Sequence, residues 1–133
     1  MAPETPTSLT DRIDVTLPLR SEFVSTLRTL TASVGADAGF SVDELDDIRL
    51  ALSEVFSVLV ANALDGTRAR TSLAVNDGVL VVSMGAEQAD VVVELDELAA
   101  NILGAVTDSY EVGLDSVTFT KRSHELVVDP TGS

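Results

Sequence analysis

A two-layer α+β sandwich is predicted by three features of this sequence. A short alternating strand opens the folded part, two amphipathic helical stripes follow it directly, and two β-rich hairpin patterns come later with another helix between them. The order strand, helix, helix, hairpin, helix, hairpin in one compact domain requires a mixed or antiparallel sheet with its three helices gathered on one face. At 133 residues the chain has the size of one domain with a real core. The sequence divides into a flexible N-terminal arm over residues 1–11, a domain over 12–122 and a C-terminal tail over 123–133.

The arm, MAPETPTSLTD, is rich in Pro, Thr and Ser, and it has neither the basic start nor the apolar middle of a leader, so a cytoplasmic location is expected. In RIDVTLPL, Ile13, Val15 and Leu17 alternate with Asp14 and Thr16, a half-buried strand ended by Pro18. From about Ser21 to Val34, Phe23, Leu27, Leu30 and Val34 recur at helical steps, with Gly35 as the expected C-cap and a loop over 35–40. The second helix is the clearest element. Ser41 and Glu44 form a capping box, Asp43, Asp46 and Asp47 suit the positive helix end, and Gly66 marks the exit. Its apolar residues, from Leu45 and Ile48 through Leu52, Val55, Phe56 and Leu59 to Val60 and Ala63, are too many for one stripe and predict packing on two sides.

Beyond it, ARTSLAVNDGVLVVSM reads as a hairpin turning at Asn76-Asp77-Gly78, and GAEQAD as a loop. A helix is predicted from about Leu95 to Val106, and DSYEVGLDSVTFTKR gives a second hairpin turning near Gly113 to Asp115. The tail SHELVVDPTGS fits either ordered or irregular structure, and His124 within it is expected to be solvated.

Composition removes several functions. Aromatics are 4% of the chain, so a base-stacking platform is excluded, and without cysteine there is no disulfide or thiolate chemistry. One histidine cannot build a zinc cluster, and no metal site is expected. With 8 basic against 22 acidic residues the net charge of −14 repels nucleic acid and anionic lipid, and no segment is long enough to span a bilayer. The acidity suits solubility in a salty cytoplasm or a basic partner; charge alone leaves both open.

The long helix also carries a resemblance. DDIRLALSEVFSVLVANA is similar to the so-called N-box of the GHKL (Bergerat-fold, histidine-kinase-like) ATPase domain of RsbW/SpoIIAB anti-sigma factor serine kinases, which typically reads D-I-x-L-A-V-S-E-A-x-x-N-x-x-x-H-A. Asp47, Ile48, Leu50, Ala51, Ser53, Glu54 and Ala63 fall on that pattern, and the resemblance extends over about residues 12 to 122. It implies that Glu54 stands where the family has its general base. The family asparagine that holds Mg²⁺ is here Val58, a side chain with no oxygen for a hard cation, and the family histidine is here Asn62. The Asp-x-Gly-x-Gly turn that contacts adenine would fall in SMGAEQAD, where Gly85 alone remains. The Gly-rich phosphate lid would fall in DVVVELDELAANILGAVTD, where Glu94, Asp96 and Glu97 are acidic.

These departures fix the functional expectations. Glu54 is a vestigial general base, alternatively a polar helix edge bonded to Arg49 or another arginine; Asn62 and Gly85 mark a degenerate nucleotide site, although Asn62 also reads as a helix-end residue. Val58, Val82 and Met84 are expected to line the adenine space, filled or left as a small cavity. Asn101 reads as a surface amide, Asp108 as a helix-end residue and Gly104 as a point of close helix packing. The implied function is an anti-sigma-factor-like regulator that binds a sigma factor, a STAS-type anti-anti-sigma protein or both, with dimerisation as a family property and no cofactor. The alternative is an active serine/threonine protein kinase using ATP and Mg²⁺, and a small α+β protein outside the family is the third reading.

Overall fold

In the computed structural model, residues 12–87 and 93–124 are described; the predicted arm, residues 88–92 of the loop and lid segment, and 125–133 of the tail lie outside them. The elements run β1 (Ile13–Pro18), a 3₁₀ turn (Ser21–Phe23), α1 (Val24–Asp37), α2 (Val42–Asn62), β2 (Arg68–Asn76), β3 (Val79–Ala86), α3 (Glu97–Val106), β4 (Ser109–Val112) and β5 (Ser116–Arg122). The strands form one sheet in the order β1-β2-β3-β5-β4, and every neighbouring pair is antiparallel. The sandwich is thus α+β with a wholly antiparallel sheet.

Strand alternation separates two faces. Ala69, Leu73, Leu80, Val82, Met84, Val117 and Phe119 are buried against the helices, whereas Arg70, Ser72, Ser83, Ser116 and Thr118 point to the other side. The first hairpin turns as predicted, with Asp77 and Gly78 both at positive φ (52° and 77°), which a tight two-residue turn requires.

Helix α2 is the spine. Ile48, Ala51, Leu52, Val55, Phe56 and Leu59 are at most 1% exposed, and the helix packs against α1, α3 and the sheet. Ser41 caps it as expected: its Oγ accepts from Glu44 N–H at 3.1 Å and its own N–H donates to Glu44 Oε1 at 2.8 Å.

Gly35 corrects the sequence reading. It is not the C-cap of α1 but a buried position inside it, because the side chain of Leu45 from α2 occupies the space a Cβ would need, 2.6 Å away. The helix runs on to Asp37, and Gly39 makes the turn at φ 92°. Helix α3 starts at Glu97, two residues later than predicted.

Candidate functional site

Helical geometry places Asp47, Glu54 and Val58 on one flank of α2, at steps of seven and four. That flank faces α3. The ammonium of Lys121 from β5, 12% exposed, donates to Asp47 Oδ2 at 3.0 Å and to the last α3 carbonyl, Val106 O, at 3.0 Å, which ties both helices to the sheet.

Glu54 is half-buried there and has no hydrogen-bond or ion-pair partner among the described residues. The expected pairing with Arg49 is not formed. Arg49 points from the opposite flank, toward α1, and pairs with Asp46 instead. Val58, one turn beyond Glu54, packs against the core, and Val82 and Met84 are themselves in the core at 0% and 1% exposure.

Asn62 and Gly85 are not brought together. Asn62 is exposed at the end of α2, where its Nδ2 donates to Val58 O at 2.8 Å, a helix-end bond, about 12 Å along the axis from Glu54. Gly85 alternates with the buried Met84 and so belongs to the sheet face turned away from the helices. A Cβ on Gly85 would lie 2.9 Å from the carbonyl oxygen of Asp115 and 3.0 Å from Ser116 Cβ, so the glycine admits the backbone of the β4–β5 turn.

The N-terminus of α3, where the resemblance puts the phosphate lid, is occupied by the chain itself. Asp96 is the N-cap, its Oδ1 accepting from Ala99 N–H at 2.7 Å, with Glu97 in the first turn. One amide of this helix end is therefore already bonded to a carboxylate. At the positions the resemblance assigns to a magnesium nucleotide, the side chain of Val58 offers no oxygen, the Ala99 amide at the start of α3 is bonded to Asp96, and Glu94, Asp96 and Glu97 are acidic. Among the described residues no group of three or more His, Asp or Glu is placed to hold a metal ion.

Other expectations resolve individually. Asn101 is exposed, as predicted for a surface amide. Asp108 lies just past α3 and accepts from Arg122 N–H at 2.6 Å, which joins the ends of β4 and β5. Gly104 is not a point of close packing, since a Cβ there would meet nothing within 4 Å. His124 is not simply solvated. Its ring is exposed, but its backbone N–H donates to Glu44 Oε2 at 2.6 Å and its Nδ1 lies 3.3 Å from the same oxygen.

Burial of Glu44 would raise its pKa, yet the hydrogen bonds from Ser41 and His124 outweigh that and hold the carboxyl below its usual 4.5. The Asp96 cap was readable from its place before an apolar helical run. The Glu44 and Lys121 contacts have no local signal, because each joins residues far apart in sequence.

No protein-family profile matches the chain. It is similar to the serine-protein kinase RsbW of Halalkalibacterium halodurans, 31% identical over 55 residues, covering 41% of this chain and 34% of that protein. The RsbW of Listeria monocytogenes is 34% identical over 56 residues, covering 42% and 36%, and that of Bacillus cereus 30% over 53, covering 40% and 33%. The similarity thus spans about a third of the length of these curated relatives. In fold it is similar to a crystal structure of the RsbU and RsbW domains of a Mycobacterium tuberculosis protein, with a TM-score of 0.60 at 21% identity over 84% of this chain and 32% of that one. Among the described residues no helix is long and apolar enough to cross a membrane. The chain is therefore RsbW-like, sharing part of its sequence with RsbW serine-protein kinases and its α+β fold with a known RsbW-containing structure.

Proposed function

We propose that this chain is an anti-sigma-factor-like regulatory protein that acts by binding, with a sigma factor, a STAS-type anti-anti-sigma protein or both as partners and with ATP binding lost or weak. The relatives' name, serine-protein kinase, supports the regulatory family. The α3 N-terminus supports the loss: the Asp96 carboxylate occupies the Ala99 amide, and its negative charge stands where a phosphate would approach the helix end. Val58 removes the oxygen a magnesium ion would take from α2. A base at Glu54 accomplishes little without a metal and a phosphate cradle, because phosphoryl transfer depends on positioning and charge neutralisation.

Calorimetric titration of the full chain with Mg-ATP and Mg-ADP tests the reading. No heat and no thermal shift are expected. Micromolar binding would overturn it in favour of an active serine/threonine kinase with Glu54 as base. Partner binding is tested by mixing the chain with a sigma factor and a STAS protein encoded beside it; a complex whose affinity is indifferent to nucleotide is the expected outcome.

A further inference from the structure

The sheet ends in two open edges, β1 and β4, and they differ in charge. The β1 edge is mixed, since Arg12 pairs there with Asp14, and it stops at Pro18. The β4 edge is uniform. From Thr71 to Thr120 the chain has no Lys, Arg or His, so the ionised side chains that β4, its turn and the approach to α3 contribute are all carboxylates. Glu94, Asp96, Glu97, Glu111 and Asp115 are each exposed. Lys121 and Arg122 lie past the opposite end of β4, where Lys121 is tied to Asp47 and Val106, and the Arg122 N–H to Asp108.

The register determines which main-chain groups of β4 are free. Gly113 N–H donates to Ser116 O at 2.7 Å, so the hydrogen-bonded pairs run back along the hairpin through Glu111 with Thr118 and Ser109 with Thr120. Tyr110 and Val112, in the pairs between, turn their N–H and C=O groups to the open edge. Among the described residues no strand pairs with that edge. Apolar surface adjoins it. Val112, opposite the buried Val117 on the helix side of the sheet, is 43% exposed, and Leu114 in the turn is 83% exposed. Val93 N–H donates to Leu114 O, which brings the approach to α3, with Leu98 65% exposed, to the same end of the sheet.

We propose that the β4 edge takes up an extended basic segment of another protein as a sixth strand. Side chains alternate along a strand, so the segment's apolar residues stand beside Tyr110 and Val112 while its Lys or Arg stands beside Glu111 on the outer side. Charge selects this occupant over the others. A second copy pairing through its own β4 brings Glu111 and Asp115 of both chains to one seam, and like charges across strands destabilise. Residues 1–11, 88–92 and 125–133 contain no Lys or Arg, so no segment of the chain outside the described residues has the complementary charge. Neither Glu54 nor Val58 takes part, so loss or retention of nucleotide binding leaves this edge unchanged.

The test uses the full chain at about 0.15 M salt, where exposed charges more than about 8 Å apart are screened, and a synthetic peptide of about eight residues alternating valine and lysine. Amide shifts in ¹⁵N spectra are expected at Tyr110, Val112 and Leu114. The same peptide with proline at its centre keeps its charge but loses a ladder donor, and it should bind the parent about tenfold more weakly. Glu111→Lys reverses the cross-strand pair and should weaken binding about tenfold. Val112→Pro removes an N–H that faces the edge, keeps the bonds to β5 and should remove the localised shifts. Both positions are exposed, and the variants' own spectra report whether the fold is kept; the two peptides compared on the parent decide without them. The proposal is overturned if no localised shifts arise at millimolar peptide, if they centre on β1 or the helices, if the proline peptide binds the parent equally well, if both folded variants bind like the parent, or if a glutamate-for-lysine peptide binds as tightly.

Discussion

Removing the Glu44 carboxylate tests whether the start of α2 and the exit of β5 are held by one side chain. Glu44 Oε1 accepts from Ser41 N–H and Oε2 from His124 N–H, and the side chain is 11% exposed, so little of this is screened by water. Half of a capping box contributes about 1 kcal/mol, and a hydrogen bond to a charged acceptor about 1.5–3 kcal/mol. Glu44→Ala should therefore cost about 2.5–4 kcal/mol at neutral pH. Glu44→Gln can still accept from Ser41 but presents no second anionic oxygen to His124, so it should cost only about 1.5–3 kcal/mol. Because the folded-state pKa lies below the unfolded value of 4.5, the stabilisation is complete above that pH and is lost as pH falls through the lowered folded value. Urea unfolding followed by far-UV circular dichroism, stepped from about pH 7 to about pH 3, gives the comparison. Gaps between parent and variants that close toward acid are expected. A Glu44→Ala gap under about 0.5 kcal/mol at neutral pH, or one indifferent to pH, refutes the double role.

Two glycines should respond in opposite directions. Gly85→Ala forces the Asp115 carbonyl to move and should cost about 1–3 kcal/mol, whereas Gly104→Ala enters open space on a helix and should stabilise by up to about 1 kcal/mol; thermal melts of the pair decide. Lys121→Met leaves both Asp47 and the Val106 carbonyl without their cation and should cost about 1–3 kcal/mol by urea unfolding; a loss below about 0.5 kcal/mol would mean the ammonium is better solvated than its 12% exposure implies. Val58→Asn on its own should leave Mg-ATP calorimetry at baseline, because the Asp96 carboxylate still occupies the Ala99 amide at the start of α3. A micromolar signal from that variant would place the whole loss at position 58.

What the sequence revealed is what short-range chemistry determines. Ser41 and Glu44 predict a cap, and both bonds form; Asn76-Asp77-Gly78 predicts a turn, and Asp77 and Gly78 take positive φ. Gly35 was misread because a glycine near a helix end signals a C-cap just as it signals close packing, and only the partner, Leu45, distinguishes them. Gly104 fails in the other direction, with an open surface where contact was expected. At the site, the valine at position 58 and the acids before α3 were legible, but the separation of Asn62 from Gly85 was not. A motif read along the chain carries no information on which sheet face a strand residue takes until the register is known. Glu44 and His124, 80 residues apart, leave no trace in any local window.

The geometry of α2 separates the residues that hold the fold from those that the resemblance assigns to nucleotide chemistry. The core is built from Leu52, Val55, Phe56 and Leu59, all at most 1% exposed, on the side of the helix that meets the sheet. Glu54 and Val58 stand on the neighbouring flank, half-buried and outside that set. Exchanging an amide for an isopropyl group at position 58 removes no core contact. It adds apolar surface against the core, at about 0.8 kcal/mol per buried methylene equivalent. Folding thus does not require an amide at position 58, and a valine there adds to the scaffold.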